Sequence, residues 1–396
     1  MSLVLVGSIV TSEELLRNHC LVIKDEKISN IIKKDELGKF NQSGKIVELG
    51  KDDYICPGLI DLHTHGGIGR DFMTCSIDDY KKLADFYISN GVTSFMATTL
   101  TAPKENILNA IVVAREYSRL NYTGSELVGL HIEGPYINNE DPIFYGAQNP
   151  EFIREINLKE INEFINAGEG IIKRITIAPE CTKGSSELIK YLVKKNIIVS
   201  IGHSNASFEE AREAFDAGAN LITHMYNASG TWHHRATGII GAALLDKRVY
   251  CELICDGHHV HPSAIEMTYI VKTPEKIVTI TDSTSGAGMA DGEEFDLGGQ
   301  KAIVKDGACR LIDNGMLAGS TLTLNKALFN VNKWMDIKLP ELIKTATLNP
   351  ALLLGLDEEI GSIEIGKRAD IVVFDKNFIP QIVIKKGNIL YRNLLT

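Results

Sequence analysis

The feature that most constrains this chain is a repeated alternation. From residue 56 onward, short apolar, β-rich runs recur, each followed by a stretch of helical periodicity, which is the pattern of parallel βα units. Eight such runs are predicted as strands: Ile55–His65, Ser94–Leu100, Leu127–Gly134, Arg174–Glu180, Ile197–Ser204, Leu221–Asn227, Tyr250–Gly257 and Ile277–Ser283. Several are apolar almost throughout, as strands covered on both faces must be. The periodicity predicts helices over Ile77–Asn90, Pro103–Ser118, Ser185–Lys195, Phe208–Ala217 and Leu322–Met335. Eight parallel strands with intervening helices close most naturally into a (β/α)8 TIM barrel, with a doubly wound open sheet as the alternative. At 396 residues and 44% hydrophobic, the chain can bury a core of that size.

The two ends do not fit this pattern. Residues 1–50 read as short strands and hairpins, and Gly361–Tyr391 does likewise, with strands predicted at Ala369–Phe374 and Gln381–Lys385. This predicts a small discontinuous β-sandwich domain from residues 1–55 and 346–396 around an α/β barrel of residues 56–345. The opening Met1-Ser-Leu-Val-Leu-Val-Gly lacks a basic region and a small-residue cleavage pattern, so it reads as a first strand rather than a signal peptide. No apolar run reaches the ~20 residues that cross a bilayer. The expectation is a cytoplasmic protein with no membrane partner.

A net charge of -10 argues against a nucleic-acid partner held by a general phosphate-attracting field. Any phosphate recognition must be local. The seven cysteines are scattered and mostly sit in apolar runs, as reduced core residues do. Cys251 and Cys255 share a strand face and suggest a zinc pair only weakly, because no second pair accompanies them.

Active sites of such barrels lie at the C-terminal ends of the strands. There the first run carries Asp61-Leu-His63-Thr-His65, the third His131-Ile-Glu133, the fifth Gly202-His203, the sixth Thr223-His224 and the eighth Thr281-Asp282. Alternation sends residues i and i+2 to one face, so His63 with His65, and His131 with Glu133, can point into the mouth together. A single histidine at such a position is more often a hydrogen-bonded core residue than a ligand. Convergence of the whole set reverses that weighting. Glu133 and Asp282 at buried strand ends would be costly without a cation or partner. A water on a divalent metal ionises near neutral pH, and Asp282 is the candidate to take its proton as base and return one as acid.

These residues resemble the amidohydrolase superfamily, with His-x-His on strand one, single histidines on strands five and six, and an aspartate on strand eight. Arg174-Ile-Thr-Ile-Ala-Pro-Glu180 has no lysine at its end, whereas Gly129-Leu-His-Ile-Glu-Gly-Pro135 carries a carboxylate on strand three. That is similar to the N-acetylglucosamine-6-phosphate deacetylase branch. The likeness extends from Cys56-Pro-Gly-Leu-Ile-Asp to Gly361-Ser-Ile-Glu-Ile-Gly-Lys-Arg-Ala-Asp370 and includes Gly202-His-Ser-Asn-Ala206, Thr223-His-Met-Tyr-Asn-Ala228 and Asp256-Gly-His-His-Val-His261.

The resemblance implies hydrolysis of the acetamide of N-acetylglucosamine 6-phosphate to acetate and glucosamine 6-phosphate. It assigns Glu133, His203 and His224 to the principal metal site and Asp282 to catalysis. Some members lack both strand-one histidines and use a single metal. His63 and His65 are kept here, so one or two divalent ions per chain are expected, with zinc, iron, manganese and cobalt all admissible for these donors. Asn227, the backbone of Ala228 and His259 correspond to sugar-phosphate contacts. Arg235 corresponds to a phosphate-binding arginine from the neighbouring subunit of a homodimer, although without the resemblance His233-His234-Arg235 reads as a solvated loop.

Two departures stand out. Gln148, in Gly146-Ala-Gln148-Asn-Pro, replaces a histidine expected near the substrate acetamide, and the loop of residues 229–238 differs in wording while retaining Arg235. The readings left open are the galactosamine epimer of the substrate, another amidohydrolase such as a cyclic-amide hydrolase or deaminase, and an inactive barrel serving as a scaffold.

Overall fold

A computed structural model describes residues 2–39 and 44–393. Its centre is an eight-stranded parallel barrel of β1 (Leu59–Thr64), β2 (Val92–Thr98), β3 (Glu126–Glu133), β4 (Ile172–Ile177), β5 (Ile198–Ile201), β6 (Leu221–Ile222), β7 (Tyr250–Ile254) and β8 (Ile277–Ile280). The strands pair in chain order. The sheet closes beyond β8, where His65 N–H donates to Ser283 O at 2.7 Å and Asp282 N–H to His63 O at 2.9 Å. Every residue of β1 and β2 is buried, because the interior packs one face and helices the other. Among these helices, Ile77–Ser89 starts at a Ser76–Asp79 capping box and Phe208–Ala217 at a Ser207–Glu210 box.

The predicted first strand divides. Tyr54–Pro57 belongs to a second sheet, and the chain crosses into the barrel at Gly58, where a Cβ would lie 2.3 Å from Thr93 Oγ1. The predicted sixth strand shortens to Leu221–Ile222, because His224 (φ 29°), Tyr226 (φ 78°) and Ala228 (φ 46°) leave the β region and turn the chain across the barrel mouth.

Both ends of the chain build the second sheet. Ser2–Val10, Leu15–Lys24, Lys27–Lys33, Gly44–Glu48 and Tyr54–Pro57 come from one end, and Ile371–Phe374, Pro380–Lys385 and Asn388–Arg392 from the other. It has a separate core that includes Leu5, Leu21, Ile23, Ile55, Ile371 and Ile384. Its seam with the barrel is both apolar and ionic: Val10, Cys56, Val372, Phe374 and Val383 pack into the barrel's own core. Glu126 Oε2, at the start of β3, accepts from Lys385 Nζ at 2.8 Å and Arg368 at 2.6 Å, and Asp370 accepts from both. Burial pushes the Glu126 carboxyl up, but Lys385 and Arg368 outweigh it and hold it at about 2. This end of the barrel lies opposite the mouth and serves stability.

An antiparallel meander of Glu294–Leu297, Gln300–Lys305 and Ala308–Leu311 follows β8. Its short, half-polar strands give little signal in the sequence. Among the described residues no helix is long and apolar enough to cross a membrane. All seven cysteines are free, and Cys251 and Cys255 join neither of the two possible three-donor metal groups among the described residues.

Candidate active site

Six strand-end side chains converge in the barrel mouth. His63 and His65 come from the end of β1 and Glu133 from the end of β3, on backbone that is still extended or nearly so. His203, His224 and Asp282 follow β5, β6 and β8 on left-handed backbone, with φ of 52°, 29° and 48°. Such conformations cost about 1–3 kcal/mol each and persist only where surrounding structure imposes them. Here it does. Asp282 is held through His63 O and Ser320 N–H, His203 O accepts from Asn138 N–H at 2.9 Å, and His224 N–H donates to Glu252 Oε2 at 3.2 Å.

Glu133 is the hub. Its Oε1 lies 3.3 Å from His63 Nε2, 3.2 Å from His224 Nε2 and 3.5 Å from His203 Nε2, while its Oε2 lies 3.2 Å from His65 Nε2. Asp282 Oδ1 sits 3.4 Å from His63 Nε2 and 3.2 Å from His65 Nε2. Two donor triads result, His63–His65–Glu133 and Glu133–His203–His224, each with its ligand atoms within 4.8 Å of one another. Despite this crowding, His63 Nε2 and Glu133 Oε1 are buried without a well-formed hydrogen bond. His203 Nδ1 donates to Phe144 O at 2.9 Å, which directs the Nε2 lone pair towards Glu133 and His224.

The electrostatics call for positive charge. Burial opposes ionisation of both Glu133 and Asp282, yet the histidines hold both carboxyls below the usual range. Conversely, burial pushes His63 and His65 down, but Glu133 and Asp282 outweigh it and lift them to about 10 and about 9. Buried nitrogen and oxygen donors that converge, with His63 Nε2 and Glu133 Oε1 left without a hydrogen-bond partner, fit a divalent cation.

A cavity of about 260 Å³ opens above the hub, lined by His65, Glu133, His203, His224 and Asp282. Asn227, Ala228, His259 and Gln148 also line it. His259 is oriented by Asp256, whose Oδ2 accepts from Nδ1 at 2.6 Å. Both ends of the Gln148 amide are occupied, with Oε1 accepting from Thr101 N–H at 2.7 Å and Nε2 donating to Glu133 Oε2 at 2.8 Å. Gln148 thus touches the hub carboxylate, a contact that its sequence context does not reveal.

Arg235 is not in this cavity. It is exposed on the loop after β6, beside His234 Nε2 at 3.2 Å, and lines a separate cleft with Asn205 and Thr237. His131 also stays outside the donor set. It is buried beneath it between Thr98 Oγ1 (3.3 Å) and Thr176 Oγ1 (2.6 Å), and burial holds it neutral, well below the usual histidine range. Sequence reasoning missed Arg174 and Glu252, which form a fully buried ion pair under the site. Their signal was available: Glu252 is a charge inside the predicted run Tyr250–Gly257, and Arg174 opens the predicted run Arg174–Glu180, whose middle is largely apolar.

The Amidohydrolase family profile matches residues 54–390. The chain is 35% identical over 387 residues to the N-acetylglucosamine-6-phosphate deacetylase of Bacillus subtilis (strain 168), a match covering 97% of this chain and 96% of that protein. It is 36% identical over 381 residues to the N-acetylgalactosamine-6-phosphate deacetylase of Escherichia coli O157:H7, covering 96% and 97%. The crystal structure of N-acetylglucosamine-6-phosphate deacetylase from Pasteurella multocida aligns over 99% of this chain and 100% of that one, with a TM-score of 0.91 at 31% identity.

Proposed function

The chain belongs to the amidohydrolase family, and from that premise we propose that it hydrolyses the acetamide of N-acetylglucosamine 6-phosphate, releasing acetate and glucosamine 6-phosphate. The observation that carries this reading is the pair of donor triads sharing Glu133, set beside Asp282 at the floor of an open cavity. A scaffold that had lost its chemistry would have no need to keep five buried metal donors and a buried aspartate.

Glu133, His203 and His224 would hold the principal cation, and His63 and His65 would extend the site to a second position around Glu133. A divalent ion bound there would supply Lewis-acid polarisation of the carbonyl and would acidify water. Nitrogen and carboxylate donors of this kind suit zinc, iron, manganese or cobalt. Asp282, ionised at neutral pH, accepts the proton of the attacking water as the new C–O bond forms. It then delivers that proton to the departing nitrogen as the C–N bond breaks. Gln148 holds the hub carboxylate in place, and His259, Asn227 and the backbone of Ala228 orient the sugar phosphate along the cavity wall.

Acetate release from both acetylated hexosamine 6-phosphates tests the substrate. The expected result is kcat/KM at least about tenfold higher for the glucosamine epimer, within what one or two hydrogen bonds to a single hydroxyl supply. Equal or better turnover of the galactosamine epimer would reassign the substrate to that of the Escherichia coli relative. Acetate from neither would point to another amide.

The phosphate is assigned to Arg235 of a neighbouring subunit in a symmetric dimer. The support is that Arg235 is exposed and lines a separate cleft, and a guanidinium fork suits a terminal phosphate on an acidic protein. Arg235→Ala and Asp282→Asn chains should then rescue each other when mixed. Half the dimers formed by random exchange are mixed and each has one complete site, so roughly a quarter of parental activity should return. No recovery after verified subunit exchange would remove Arg235 from the neighbour's site.

A further inference from the structure

Arg174 and Glu252 project into the barrel from β4 and β7, both with no exposed surface. The pair is bidentate, with Arg174 Nη1 on Glu252 Oε1 and Nη2 on Oε2. Arg174 Nε also reaches Ser200 Oγ at 2.8 Å and its Nη2 reaches Thr223 Oγ1 at 2.8 Å, so its orientation is locked. A fully buried ion pair seldom stabilises a fold more than apolar residues of the same volume. Stability alone therefore gives this pair little reason to be here.

Its outer oxygen supplies another. Glu252 Oε2 lies 3.2 Å from His63 Nδ1 and accepts the backbone N–H of His224 at 3.2 Å. One carboxylate oxygen thus touches a histidine from each donor triad. A carboxylate can only accept, so His63 must donate from Nδ1, which leaves Nε2 to face Glu133 and to offer its lone pair once a cation displaces its proton. The same oxygen pins the left-handed turn on which His224 stands.

We infer that Glu252, held rigid by Arg174, is a positioning residue that selects the metal-binding tautomer of His63 and fixes His224 in register with it. The inference rests on the metal-dependent reading above. It adds a shared anchor beneath both triads, which makes retention of the strand-one cation depend on a residue of β7 that never reaches the cavity.

The test is retention of Zn2+ or Co2+ by the loaded protein against a chelator of known affinity, with the visible spectrum of the Co2+ form as a second readout. Glu252→Gln is expected to weaken retention about 10–100-fold, as loss of a carboxylate behind a metal-bound histidine does, while KM is unchanged. Glu252→Asp, which keeps the charge but withdraws it by one methylene, should weaken retention with the fold intact. Arg174→Met/Glu252→Gln removes both charges and gives the same readout if Glu252→Gln alone fails to fold around an unpaired Arg174. In combination with His63→Asn, the Glu252→Gln loss should be strongly sub-additive. Retention equal to the parent in the folded variants, or strictly additive losses, would overturn the positioning role alone. A parent protein that retains neither ion would overturn the metal reading with it.

Discussion

Asp282→Asn is expected to give a folded protein that still retains its cation but turns over about 10²–10⁴-fold more slowly, the usual contribution of a positioned general base. The fold should tolerate the change. Asparagine is nearly isosteric and, at φ 48°, accepts left-handed backbone more readily than most residues. The main-chain bonds that seat position 282, from its N–H to His63 O and from Ser320 N–H to its carbonyl, do not involve the side chain. What is lost is a carboxylate that burial opposes but that His63 and His65 keep ionised, and hence able to take a proton at neutral pH. Steady-state kinetics with metal analysis on the same preparation separate the two effects. Activity within tenfold of the parent would send the search for the base elsewhere.

Glu133→Gln should be more severe, with metal content near zero and activity at background. One carboxylate serves both triads, Oε1 against His63, His203 and His224 and Oε2 against His65, so neutralising it removes the shared anion from both positions. Without a cation, water at the site keeps its ordinary pKa instead of one near 7. The contrast is His63→Asn/His65→Asn, which leaves the Glu133–His203–His224 triad whole. Parent protein should carry more than one divalent ion per chain, and that double variant one. A parent stoichiometry of one, unchanged in the double variant, would show the strand-one pair to be vestigial, and a Glu133→Gln protein that kept its metal would remove Glu133 as the hub.

The corrections to the sequence reading follow from the range over which each signal acts. The sixth barrel strand looked seven residues long because Leu221–Asn227 has β-like composition. Only the crossing of the mouth, with its positive φ angles at 224, 226 and 228, shows that regular pairing stops at Ile222. Gly58 reads as an ordinary glycine in a strand until Thr93 approaches its α-carbon from β2. Gln148 looked like a substituted substrate contact. Its partners, Thr101 N–H and Glu133 Oε2, lie 47 and 15 residues away, and no local pattern brings them together.

The sequence by itself determined the number and order of the barrel strands, their parallel arrangement and the chemical types of donor at their ends. These are consequences of alternation, helical periodicity and barrel polarity, all carried by residues close together in the chain. Only the tertiary structure decided that Glu133 faces all four histidines of the two donor triads and that His131, two residues earlier, lies beneath them among threonines. It alone paired Arg174 with Glu252 across 78 residues. Those outcomes depend on where separate strands come into register and on which buried charges can find partners there, and the cost of an unpaired buried charge is set by neighbours that only the closed barrel supplies.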